Sequence, residues 1–208
     1  MLNLPKSTEV GKFLPKEKLI DKLNLTPALK ESLKDDVRRF TITHELSEKS
    51  LNIPKGDRVS AVFIIEVALK QKNIDYKLIE AVARQNAHKI LFVLRHEDEA
   101  QIAVFYGKLY KNDWTGTRDL NVDISGFSFD EVWDSLVAQV ALTVPVRVNI
   151  PALPVADMLA RQEEIAKLKR EIERLENKAR KERQPKRKFE IVGKIHEMKR
   201  TLEGYRNG

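Results

Sequence analysis

Residues 59–94 read VSAVFIIEVALKQKNIDYKLIEAVARQNAHKILFVL. Each end of this stretch is a run dense in β-branched and aromatic residues, Val59–Val67 and Ile90–Leu94, with apolar side chains on both faces. A strand with one wet face alternates between apolar and polar. A strand covered on both faces does not, and that is the usual state of parallel strands. The segment between the runs supplies the cover: Asp75 is a helix-capping residue type, and Leu78, Ile79 and Val82 share one helical stripe. Strand, helix and strand make a βαβ unit, so the expected class is α/β, with a mixed sheet and covering helices.

Working outward, His96–Ala100 is a charged turn, and Gln101–Tyr110 alternates well enough to return as an antiparallel strand. A further strand is expected at Leu120–Ile124. Thr26 before Pro27 is a capped helix start, with Leu29, Leu33 and Val37 on one face. Ser128 and Glu131 have the spacing of a capping box, opening a helix that buries Val132, Trp133, Leu136, Val137 and Val140. Phe63, Ile65, Leu91, Val93, Val104, Trp133 and Leu136 are expected to share one core. The body is thus residues 1–142. Pro145, Pro151 and Pro154 mark 143–156 as an extended linker or edge strand.

Residues 157–208 follow a different rule. Ile165, Leu168, Ile172, Leu175 and Ala179 recur at spacings of 3 and 4, the seam of a coiled coil. Ile191, Ile195, Met198, Leu202 and Tyr205 repeat the spacing in mirror image, and Pro185 between the sets is read as the stop of the first helix. Folding at Pro185 pairs Ala179 with Ile191, Leu175 with Ile195, Ile172 with Met198, Leu168 with Leu202, and Ile165 with Tyr205. The expected element is an antiparallel helical hairpin, a coiled-coil arm of roughly 25 to 35 Å. A parallel dimer remains open, because Ile and Leu at these seam positions suit it too. Monomer and homodimer are therefore undecided.

The hairpin also carries the charge. Of the net +7, the segment from Asp157 to Gly208 contributes +6, with 16 Lys and Arg against 10 Asp and Glu. Lys178, Arg180, Lys181, Arg183, Lys186, Arg187 and Lys188 crowd its turn, with Glu182 the one acid among them. A compact positive tip suits phosphates or an acidic partner surface, since each cation set near a phosphate releases condensed counterions. The plainer account is a solvated helix turn.

Elsewhere the chemistry is mostly absent. Without cysteine there is no disulfide framework, cysteine-based zinc site or thiol nucleophile. The 8 glycines form no phosphate-cradling loop, and no G-x-S-x-G elbow occurs. His44, His88, His96 and His196 are too far apart in sequence for a local metal motif. No cofactor is expected. No apolar run reaches the roughly 20 residues of a membrane span, and Met1–Lys12 lacks a signal pattern, so the expected location is cytoplasmic. Asp57, Glu66 and Lys70 give the alternative reading, as the carboxylates and lysine of a divalent-metal-dependent restriction-type nuclease. The compact form of that motif wants Glu-x-Lys, whereas Ala68 stands two before Lys70.

Several stretches together resemble a family. Pro5-Lys-Ser-Thr-Glu-Val10, Leu25-Thr-Pro-Ala-Leu-Lys30, Val62 to Lys72, His88-Lys-Ile-Leu-Phe-Val-Leu94, Asp113-Trp114 and Lys181 to Phe189 are similar to an uncharacterised bacterial domain-of-unknown-function family. Its members resemble accessory proteins encoded beside Swi/Snf-type helicases and adenine-specific DNA methyltransferases, in clusters like restriction and phage-defence systems. The family tends to show Glu-x-Lys-x-Lys where this chain has Ala68-Leu-Lys-Gln-Lys72, and it supplies no catalytic residues. The resemblance implies a non-catalytic accessory subunit of a DNA-processing complex, docking on a helicase or DNA methyltransferase. On the residues alone, the tip meets DNA, another polyanion or an acidic partner, with no membrane involved.

Overall fold

In the computed structural model, which describes residues 2–143 and 154–207, the chain forms two units, Met1–Val148 and Asn149–Gly208. The first contains β1 (Glu9–Leu14), α1 (Lys16–Lys22), α2 (Pro27–Asp35), β2 (Val37–Ser47), α3 (Glu48–Leu51), β3 (Ala61–Leu69), α4 (Tyr76–Arg84), β4 (Lys89–His96), β5 (Glu99–Tyr106), β6 (Lys108–Lys111), β7 (Thr115–Gly116) and α5 (Phe129–Ala141). The second contains α6 (Val155–Lys181) and α7 (Pro185–Asn207). Of the expected linker, residues 144–153 lie outside the described residues, and Pro154 immediately precedes α6.

The βαβ unit forms as its residues dictate. β3 and β4 pair in parallel, with Ile64 opposite Leu91 and Ile65 opposite Phe92, and α4 makes the crossover. The Asp75 carboxylate accepts the Lys77 N–H at 3.0 Å, which caps α4. Around this pair the strands run in the order β1-β2-β3-β4-β5-β6, with β7 also on β5, and every other pairing is antiparallel. The result is a mixed sheet with helices, the expected α/β class.

Residues opposite each other in a sheet share a face, so the register sorts the core into two layers. On one face Ile65, Val67, Phe92, Leu94 and Ala103 pack with Leu33 of α2 and with Leu78, Ile79 and Val82 of α4. Leu91, Val93 and Val104 point the other way. That side is covered by α5, which contacts β3 and β5 and buries Val132, Trp133, Leu136 and Val137. The single core expected from sequence is therefore two layers split by the sheet. Phe63 is only half-buried, its ring edge-on to His88 at 5.1 Å between centroids.

Four local expectations are corrected. Val37, expected on the face of the helix that starts at Thr26, is the first residue of β2, because α2 ends at Asp35. Gln101–Tyr110 is two strands, not one: Gly107 takes φ +71, a turn conformation that glycine adopts without steric cost, and Tyr106 faces Lys108 across it. Leu120–Ile124 forms no strand, although Leu120 and Val122 are buried. Its backbone bonds to a helix side chain instead, since Gln139 accepts the Asp123 N–H and donates to the Asp123 carbonyl, each at 2.8 Å. Pro185 does not stop the first helix. α6 ends at Lys181, and Pro185 opens α7, where a missing N–H costs nothing. The helix starts at Thr26 and Ser128 do cap, by long 3.4 Å bonds from Leu29 N–H and Glu131 N–H. Glu131 accepts from Phe127 N–H at 2.9 Å, one residue ahead of the cap.

Because the two layers are separate, each should be sensitive to hollowing. Ile65→Ala on one face and Leu91→Ala on the other are each expected to cost about 2 to 5 kcal/mol in denaturant unfolding. A loss below about 1 kcal/mol at both sites would overturn the assignment of β3 and β4 as central strands.

Candidate functional site

The hairpin is built by its seam. Ile172, Ala179 and Ile195 are buried at its centre, with Leu175, Ile191, Val192, Met198 and Leu202 packed against them. Every heptad position read from the sequence, from Ile165 to Tyr205, is buried or half-buried, while the positions between are mostly exposed. Polar contacts fix the antiparallel alignment along the seam and at the end away from the turn. Lys199 Nζ meets Glu176 Oε1 at 2.8 Å, the Tyr205 hydroxyl donates to Glu164, and Arg161 donates to the Tyr205 carbonyl. The Lys199 contact holds the Glu176 carboxyl below its usual pKa, and the bond to Glu164 holds the Tyr205 phenol above its own. The seam is thus closed within the chain, as the expected antiparallel hairpin requires.

The seven tip cations named from sequence fall around one short connection. Lys178, Arg180 and Lys181 occupy the last turn of α6, Arg183 lies in the connection, and Lys186, Arg187 and Lys188 follow Pro185 in the first turn of α7. All seven are exposed. Glu182 accepts the Gln184 N–H at 2.9 Å, so the one acid of the tip ties the connection. Cations at the end of α6 complement the negative end of its dipole. Those opening α7 oppose the positive end, and its first turn holds no acid. Helix stability therefore accounts for the three cations ending α6 and is worsened by the three opening α7.

The outer face of α7 adds an exposed aromatic, Phe189, to which the sequence reading gave no site role. At about 100° per residue, Phe189 lies roughly 200° around the helix from Ile191. Lys186, Phe189, Gly193, His196 and Arg200 thus form a stripe at spacings of 3 and 4, opposite the seam, and all are exposed. The Phe189 side is the notable one, at 80% exposure. Its signal in the sequence was an aromatic residue off the seam register.

The nuclease set is not brought together. Glu66 sits inside β3, almost fully buried, with Oε1 at 3.5 Å from Arg95 Nε, so its charge is partnered by an arginine on the neighbouring strand. Lys70 lies past the end of β3, where its ammonium donates to the Lys34 carbonyl at 2.9 Å. Lys16 donates to the same carbonyl, and burial followed by the charge of Lys70 lowers its pKa. Asp57 is exposed before the other end of β3, whose 9 residues span about 26 Å and separate it from Lys70. Its segment is locked by Asp130, whose carboxylate accepts the N–H groups of Asp57, Arg58 and Val59 at 3.1, 3.1 and 2.8 Å. Gly56 lets the chain pass so close, since a Cβ there would meet Asp130 Cγ at 2.3 Å. The histidines are likewise separate. His44 Nδ1 and His96 Nδ1 are buried without hydrogen-bond partners, and burial lowers the pKa of His44. Among the described residues, no group of three or more His, Cys, Asp or Glu is placed to hold a metal ion, and no helix is long and apolar enough to cross a membrane.

The chain has no cysteine of its own, which makes the hairpin easy to test. Cysteines at Ala179 and Ile191 should form a disulfide within one chain under mild oxidation, read as a monomer on a non-reducing gel. Crosslinking between chains alone would contradict the intrachain seam.

No curated protein and no solved structure matches the chain. A family model does: the one described as a domain of unknown function (DUF4391) matches residues 2–202, and the chain belongs to that family.

Proposed function

We propose that the chain is a non-catalytic accessory subunit of a DNA-processing complex of the restriction-modification or phage-defence kind. Its hairpin tip contacts nucleic-acid phosphates, and its α/β body docks on a larger enzyme, a helicase or an adenine-specific DNA methyltransferase. The observation that carries the nucleic-acid reading is the first turn of α7. Three exposed cations stand there against the helix dipole with no acid to offset them, next to four more at the end of α6 and in the connection. A turn that only needed to be soluble could mix its charges and lose nothing. A turn that meets a polyanion recovers the repulsion on binding, as counterions leave the phosphates. Such contacts position a protein on a backbone without reading its sequence.

The docking half of the proposal rests on the resemblance, which sets such proteins beside helicases and methyltransferases. A non-catalytic role agrees with the separation of Asp57, Glu66 and Lys70 and with the arginine already paired to Glu66.

Changing Lys181, Arg183, Lys186, Arg187 and Lys188 to Gln should leave the unfolding midpoint nearly unchanged, because exposed substitutions rarely shift stability by more than about 0.5 kcal/mol. Affinity for oligonucleotides should fall. The slope of log affinity against log salt should flatten by about 0.9 per lost contact on a duplex, or about 0.7 on a single strand. Gln at Lys12, Lys18 and Lys22 of the body is the control. Unchanged affinity and slope in the tip variant would show that the tip does not meet phosphates and would favour an acidic protein surface.

A further inference from the structure

The exposed ring of Phe189 has no role in the hairpin's own packing. It lies on the side of α7 away from the seam, is 80% exposed, and sits one residue beyond the Lys186-Arg187-Lys188 run. Gly193 follows it one turn later on the same face, and a Cβ at that position would meet no atom within 4 Å. The glycine therefore leaves no side chain beside the ring, at some cost to helix stability. The outcome is a flat aromatic surface with room beside it, and Lys186 is its helical neighbour three residues back.

We infer that the tip binds single-stranded nucleic acid, with the Phe189 ring stacking on an unpaired base while Lys186 and Lys188, on either side of it around the helix, hold the flanking phosphates. The inference rests on the reading of the tip as a phosphate-binding surface and names the class of nucleic acid it takes. Cations tracking a backbone beside an aromatic platform are the two parts that sequence-tolerant single-strand binding needs, because every base has a face to stack. In a duplex those faces are already stacked on each other, and the ring would find only phosphates and groove edges. An anionic membrane is the other polyanion that attracts basic residues beside an aromatic. Seating a helix in its surface needs a broad apolar face, and the face around Phe189 carries Lys186, His196 and Arg200 instead.

The test uses the full chain, titrated with a fluorescent single strand of about 20 nucleotides, with the matching duplex, and with vesicles containing phosphatidylserine. The single strand should bind more tightly than the duplex. Phe189→Ala should weaken single-strand binding by roughly five- to a hundredfold while leaving duplex binding within about twofold, and Phe189→Trp should restore it with fluorescence quenching on binding. If the tip charge variant loses binding while Phe189→Ala binds the single strand like the parent, the phosphate contact stands and the stacking is overturned. Equal affinity for both nucleic acids, or Phe189-dependent binding to vesicles alone, also overturns it. Absence of any oligonucleotide binding by the parent chain removes both the stacking and the phosphate contact on which it rests.

Discussion

A pair of parallel strands that is apolar on both faces must be covered on both faces, and the body is arranged around meeting that demand. β3 and β4 form the pair, and no hairpin turn can join parallel neighbours, so the chain has to leave the sheet and return through α4. That crossover, with α2, covers one face. The other requires α5, which comes from more than thirty residues further along the chain and is held in place partly by the Asp130 carboxylate gripping the backbone that leads into β3. Glu66 is the exception that the same demand exposes. A carboxylate on a covered face needs a partner, and Arg95 on β4 is placed to provide one.

The second unit answers to a different constraint. Two helices of 27 and 23 residues with apolar seams gain little alone, and most of their stability comes from burying the seams against each other. The turn that permits this is a short connection of Glu182, Arg183 and Gln184, closed by Pro185 at the first position of α7. It is also where the chain gathers its positive charge. The two features are in tension, since bringing the helix ends together concentrates like charges that a straight helix would spread. The seam must outweigh this repulsion in the free protein, and a bound polyanion removes it.

Much of this was legible in the sequence, and the failures have identifiable causes. The βαβ unit, the caps at Thr26, Asp75 and Ser128 and the hairpin seam are local patterns with fixed periods, and they read correctly. β2 did not announce itself, because shifts in register between Val37 and Arg39 and between Ile42 and His44 break the alternation that marks a strand. β1 is an edge strand whose Val10 and Phe13 are exposed and separated by Gly11 and Lys12, where the register shifts, so its apolar residues do not alternate as in a half-buried strand. Leu120 and Val122 carried a strand's apolar residues but not its pairing, since Gln139 takes up the backbone at Asp123. At the tip the cations were plain from composition, whereas the outward stripe of Phe189, Gly193, His196 and Arg200 emerged only once the seam fixed which way the helix faces.

The central claim is that the hairpin's turn, and not the body, is the surface this protein offers to nucleic acid. The most direct measurement is a backbone amide NMR titration of the full chain with a short oligonucleotide. The account predicts shifts concentrated between residues 178 and 200, with the amides of β3 and β4 unmoved. Shifts centred on the body, with the turn silent, would contradict it.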